Sequence, residues 1–158
     1  MIAADDERFI RLAIAVAKRS RANGNHPFGA ILVGPDGAVL MEAENSCMTT
    51  RDRTGHAERN LMTGASMRYD AQFLSRCTLY TSAEPCAMCS GAAYWAGVGR
   101  VVYGLSEARL KVLTGDDPEN PTMTLDCRQV LSAGQHPIAV AGPLLEDEAA
   151  EPHAGFWR

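Results

Sequence analysis

The 158-residue chain has the length of one compact domain, and its 46% apolar, 22% charged composition is that of a globular protein able to bury a core. No apolar run approaches bilayer length and the acidic start Asp5-Asp6-Glu7 is unlike a secretory leader, so a cytoplasmic protein without membrane contact is expected. A formal net charge of −4 with no basic stripe argues against nucleic acid as a partner, and five cysteines, an odd number, argue against a disulfide framework.

Asp5 to Asn23 sets Phe9, Leu12, Ala13, Val16 and Ala17 on one face, which predicts an amphipathic helix, with Asp5 or Asp6 as its cap and Gly24 as its stop. Gly29 to Gly34 reads as a buried strand, Pro35-Asp36-Gly37 as a turn, and Ala38 to Ala43 as the returning strand. After a polar, irregular stretch from Asn45 to Gly55, Ala57 to Met67 has the composition of a helix. Leu79 to Ser82 is a short strand delivering the chain to Pro85, and the small residues from Cys86 to Ala96 suit a tightly packed helix. Arg100 to Tyr103 is a strand, Glu107 to Leu113 a helix, Gly115 to Pro121 an acidic loop, and Ile138 to Ala141 a last strand before a helix-like run from Leu144 to Ala150. The alternation predicts an α/β sandwich over residues 1–158, a single domain whose residues 143–158 form a C-terminal tail.

His56-Ala57-Glu58 and Pro85-Cys86-Ala87-Met88-Cys89 carry the chemistry. Cys-x-x-Cys alone fits a redox pair or half of a structural zinc site as well as a catalytic one. A structural site takes four protein ligands, and Cys127, His26, His136 and His153 show no paired spacing to complete it. His56, Cys86 and Cys89 instead make the three-ligand set of a catalytic zinc, one Zn²⁺ per subunit, and leave Glu58 free to carry protons. Both motifs precede helical stretches, so the ligands are expected at helix N-termini, where the dipole and free N–H groups stabilise thiolates. Residues i and i+2 do not share a helix face, but in a first turn His56 and Glu58 can both face a site off the helix end.

This H-x-E…P-C-x-x-C arrangement resembles that of the cytidine deaminase superfamily, zinc-dependent deaminases of nucleobases and nucleosides, and its bacterial guanine deaminases and tRNA adenosine deaminases in particular. The likeness runs from the first helix to Tyr103. It implies a three-layer α/β/α sandwich around a mixed five-stranded sheet, and a homodimer with active sites near the subunit interface. Carried onto this sequence, it implies that Phe28 stacks on the bound base, that Asn45 hydrogen-bonds it and that Trp95 lines the pocket. Ala57, inside the zinc triplet, is expected to touch the base as well. Counting from the second cysteine, Asp117 falls nearest the second proton-shuttling carboxylate of guanine deaminases, with Asp116 and Glu119 close by. The loop Gly115 to Pro121 departs from the usual form of that segment, so a solvated acidic turn is an equal reading.

The acidic tail, with Glu146, Asp147, Glu148 and Glu151, is a poor surface for a phosphate backbone, which favours a free base over a tRNA anticodon. Guanine, giving xanthine and ammonia, is therefore the first expectation. Cytosine, isocytosine or an amino-triazine, adenosine in tRNA, and a non-enzymatic zinc protein are the alternatives. The tail's Phe156 and Trp157 suggest docking, either over the pocket or at a subunit contact.

Overall fold

The computed structural model describes residues 1–158. In chain order the elements are α1 (Asp6–Ala22), β1 (Gly29–Val33), β2 (Val39–Glu44), α2 (Cys47–Thr50), α3 (Ala57–Arg68), α4 (Ala71–Leu74), β3 (Thr78–Ala83), α5 (Ala87–Ala96), β4 (Arg100–Leu105), α6 (Glu107–Thr114), α7 (Cys127–Ser132), β5 (Ala139–Ala141) and α8 (Glu146–Ala150), then a 3₁₀ turn over Glu151–His153. The five strands form one sheet in the order β2-β1-β3-β4-β5. β1 pairs antiparallel with β2 and β3, whereas β3–β4 and β4–β5 are parallel, so the sheet is mixed.

Strand periodicity divides the core in two. Ala30, Leu32, Leu79, Val101 and Tyr103 face one side with α3, α5 and α7. Their neighbours Ile31, Val33, Tyr80, Val102 and Leu105 face the other, with α1, α6 and α8. Because β1, β3 and β4 are covered on both faces, they are buried almost throughout, including the polar Thr81 and Ser82 of β3. This is the expected three-layer α/β/α sandwich.

Helix α1 lies close on the sheet. A β-carbon on Gly29 would sit 2.5 Å from the Ala17 nitrogen and 2.6 Å from the Ala13 carbonyl oxygen, so only glycine admits this approach at the start of β1. The expected cap for α1 takes a different form. Asp5 occupies the cap position without a side-chain bond. Asp6, fully buried, accepts from Arg100 at 2.8 and 2.7 Å, from the Tyr80 hydroxyl at 2.7 Å and from the Ala3 N–H at 2.6 Å. It therefore ties the first helix to β3 and β4. The expected helices from Ala57, Cys86 and Glu107 and the hairpin are present, while α2, α4 and α7 are additions the sequence pattern did not mark.

Burial alone pushes the Asp6 carboxyl upward, but the hydrogen bonds from Arg100, Ala3 and Tyr80 prevail and hold it at about 2, against 3.8 ordinarily. A carboxylate with a depressed folded pKa stabilises fully above its unfolded value and loses that contribution as pH falls through the folded one. Wild-type stability is thus expected to drop by about 2 kcal/mol on this account between pH 4 and pH 2. Asp6→Asn, which leaves the Arg100 charge unpaired, should cost about 3–5 kcal/mol at neutral pH in denaturant unfolding and should lack that acid-limb loss.

Candidate active site

The two motifs meet because two helices begin side by side. His56 is the N-cap residue of α3 and Cys86 that of α5, both with extended backbone, and Cys89 lies in the first turn of α5. His56 Nδ1 stands 3.5 Å from the sulfurs of both Cys86 and Cys89, and the three ligand atoms all lie within 4.8 Å of one another. With Zn–S near 2.3 Å and Zn–N near 2.0–2.1 Å, a tetrahedral nitrogen–sulfur edge is about 3.5 Å. The donor set and its spacing fit zinc with one position left over. Cys47, Cys77 and Cys127 lie apart from this set and are free thiols.

Proton affinities in the cluster are displaced. Hydrogen bonding from Cys89, reinforced by His56, pulls Cys86 well below the ordinary thiol range, while Cys89 is raised by its bond to Cys86 and by burial. His56 is raised, chiefly by its contact with Cys86. Glu58, the second residue of α3, is 5% exposed, and burial lifts its carboxyl to about 7, against the pull of His56. A carboxyl that titrates near neutrality can both accept and return a proton.

A cavity of about 810 Å³ opens over this cluster. Phe28, Asn45, His56, Glu58 and Cys86 line it, so the structure brings together most of the residues selected from the sequence. Phe28 and Asn45 are locked as a pair, the Asn45 N–H donating to the Phe28 carbonyl at 3.2 Å. The Asn45 side chain accepts from the Cys47 N–H at 3.0 Å, which holds the amide in place beside the cavity.

Three selected residues lie elsewhere. Trp95 is 85% exposed and off the cavity wall, because α5 turns Cys89, Ala93 and Ala96 inward and Trp95 falls on the opposite face. Ala57 is fully buried in the α3–α5 core. Asp117 faces away from the cavity, accepting from the backbone N–H of Arg158 at 2.7 Å and of Glu119 at 2.9 Å, and these bonds hold its carboxyl low. Glu119, two residues on, is the acid of that loop which reaches the cavity, 3.4 Å from His26 Nε2.

Sequence reasoning missed Glu84 and Glu107, which also line the cavity. Glu84 is buried just before Pro85, and its adjacency to the cysteine motif was the available signal. Glu107 stands at the start of α6, and burial, with Glu84, Cys86 and Glu58 nearby, pushes it up to about 7. Such a gathering of acids and thiols is a field that a dication relieves. Behind the wall, the tail packs His153 and Trp157 on Phe28, at 5.3 and 6.1 Å between ring centres, and Phe156 and Trp157 on His26. Neither Phe156 nor Trp157 lines the cavity; the tail backs its wall.

Residues 3–105 match the family model of the cytidine and deoxycytidylate deaminase zinc-binding region. The chain belongs to this deaminase family. A probable cytosine deaminase of Schizosaccharomyces pombe is 45% identical over 152 residues, 96% of this chain and 92% of that protein. A guanine deaminase of Bacillus subtilis is 42% identical over 98 residues, 61% of this chain and 62% of its own. Among solved structures, a guanine deaminase from Nitrosomonas europaea superimposes with a TM-score of 0.79 at 26% identity, over 98% of this deaminase and 84% of the other chain.

Asp117→Ala removes the acceptor that ties the tail to the 115–121 loop. Amide hydrogen exchange is expected to accelerate across residues 153–158 while α3 and α5 keep their protection, and equal protection of the tail in both proteins would refute the clasp.

Proposed function

We propose that this chain is a zinc-dependent hydrolase that replaces the exocyclic amine of a small free amino-heterocycle with oxygen and releases ammonia. The observation that carries the reading is the 3.5 Å spacing of His56 Nδ1 to both Cys86 and Cys89, with a buried Glu58 beside it on the cavity wall. Bound by those three residues, zinc would supply a water of lowered pKa as nucleophile at neutral pH.

The protein's own groups account for the rest. Phe28 offers a face on which a planar ring can stack, and the fixed Asn45 amide offers a donor and an acceptor to the ring edge. Glu58 removes a proton from the attacking water, passes it to the adjacent ring nitrogen and returns one to the departing amine, the traffic for which a pKa near 7 is suited. The aromatic tail behind Phe28 and His26 keeps the stacking wall dry and fixed.

Guanine is the first substrate in this reading. The fold likeness to the Nitrosomonas guanine deaminase, which extends over nearly the whole chain, favours it. Cytosine is the second, favoured by 45% identity to the fission-yeast protein over 152 residues. Ammonia release across guanine, cytosine, isocytosine and amino-triazines decides between them. Metal analysis should find one zinc per chain. Glu58→Gln should retain that zinc while kcat falls about 10²- to 10⁴-fold; full activity in this variant, or an inactive wild type on every base, would sink the proposal.

The homodimer belongs to the same proposal. An 85% exposed Trp95 beside half-buried Tyr94 on α5 is the kind of aromatic anchor that subunit contacts use. Sedimentation velocity should give twice the chain mass for the wild type, and Trp95→Asp should shift it toward the monomer.

A further inference from the structure

One residue holds both ends of the Asn45 side-chain amide. Asn45 Oδ1 accepts from the Cys47 N–H at 3.0 Å, and Asn45 Nδ2 donates to the Cys47 sulfur at 3.4 Å. The thiol donates in turn to the Arg53 carbonyl at 3.6 Å. A thiol is one weak donor and one weak acceptor, and here both capacities are used. The bonds run in one direction, from the Asn45 N–H through the sulfur to a carbonyl that can only accept. Turning the amide over would set its NH₂ against the Cys47 N–H. Burial raises the Cys47 thiol above its ordinary range, against the pull of the Asn45 bond, so the S–H donor is kept at neutral pH.

An amide side chain has two N–H donors and two acceptor lone pairs, and Cys47 takes one of each. Asn45 is 2% exposed, and both it and Cys47 line the cavity, so one N–H and one lone pair are left for a bound ring. The thiol reaches Asn45 from a fixed base. Cys47 opens α2, whose Met48 and Thr49 N–H groups donate to Asn25 Oδ1 at 3.0 and 3.1 Å. The Ser46 N–H between the two residues donates to the Gly55 carbonyl at 2.8 Å. Of the three thiols outside the zinc set, Cys77 and Cys127 are buried in the core, and only Cys47 faces the cavity.

We propose that Cys47 is a positioning residue for the substrate: its thiol fixes the Asn45 amide in one orientation, so that the heterocycle meets a donor and an acceptor already in place. The proposal rests on the reading of Asn45 as a base-binding residue. The Cys47 N–H alone would hold one end of the amide and leave it free to swing about that bond. The thiol removes this freedom during folding, so the ordering does not have to accompany association. The effect is on binding, because the zinc ligands and Glu58 stand on α3 and α5 and do not depend on α2.

Calorimetric titration of zinc-loaded Glu58→Gln protein with guanine, cytosine and isocytosine reads affinity without turnover. Cys47→Val keeps the bulk but has neither donor nor acceptor, and should weaken binding of the preferred base about threefold to tenfold. Cys47→Ser keeps both and should recover most of that loss. In an Asn45→Ala background, Cys47→Val should change affinity by less than about twofold, since the amide it orients is gone. With Glu58 intact, Cys47→Val should raise KM by the factor seen in binding and leave kcat within about twofold. Cys47→Val binding as tightly as wild type, a loss that serine does not recover, or an equal loss in the Asn45→Ala background would overturn the positioning role. Affinity unchanged by Asn45→Ala, or no binding of any of the three bases, would remove the base-binding reading of Asn45 and the proposal with it. Binding that depends on Asn45 and Cys47 in a protein that deaminates no base would leave the positioning role standing and remove the deaminase reading instead.

Discussion

The site depends on α3 and α5 starting at the same place. Their packing on one face of the sheet, through Ala57, Leu61 and Ala65 on one helix and Ala93 and Ala96 on the other, is what sets His56 Nδ1 3.5 Å from both sulfurs. Small residues at the contact let the two backbones approach, so that two cap positions rather than two helix faces become neighbours. Caps are a suitable origin for ligands. Their backbone is extended, their side chains project beyond the helix end, and the unpaired N–H groups of the first turn favour the negative charge of a thiolate. Ser90 adds a hydroxyl bond of 3.2 Å to the Pro85 carbonyl, closing the turn that presents Cys86.

Burial then gives this arrangement its chemistry. The same contact that brings the ligands together encloses Glu58, and it is enclosure that lifts its carboxyl toward 7 while His56 pulls the other way. An exposed glutamate two residues after a histidine would be an ordinary ionised side chain. The second helix layer therefore supplies proton chemistry as well as ligand geometry, and the Asp6–Arg100–Tyr80 network on the opposite face holds the sheet between them in register.

Much of this was legible in the sequence, and the failures have physical causes. The ligands, Glu58 and the helix starts could be read because their chemistry is local: an unusual residue set at fixed spacing, followed by helix formers. The central strands could be read because burial on both faces leaves short apolar runs in them, such as Ala30–Val33 and Val101–Tyr103. Similarity of position says nothing of helix phase: with Cys89, Ala93 and Ala96 turned inward, Trp95 faces solvent and not the cavity. Counting residues through a loop does not resolve which way alternate side chains point, and here Asp117 turns back to the Arg158 N–H while Glu119 reaches the cavity. Short α7 has its own cap, Asp126 accepting from the Gln129 N–H at 2.9 Å, a signal that was present but masked by a weakly patterned stretch. Glu107 left no local trace, since only the fold brings the start of α6 to the cavity.

These distinctions bear on where substrate choice resides. The zinc ligands and Glu58 stand on secondary structure, at helix starts fixed by the core, and are suited to one reaction on many rings. Most of the other polar and aromatic groups that face the cavity come from a connection or an element end: Phe28 before β1, Asn45 after β2, Arg51 and Arg53 before α3, Glu107 at the start of α6, Glu119 in the loop beyond it. Those segments are braced by side-chain bonds of their own, from Asn25, Asn60, Arg59 and Asp117, and not by the α3–α5 contact. A change of substrate can therefore occur in the loops at little cost to the metal site. Reaction and specificity are separable in this fold because different interactions hold them.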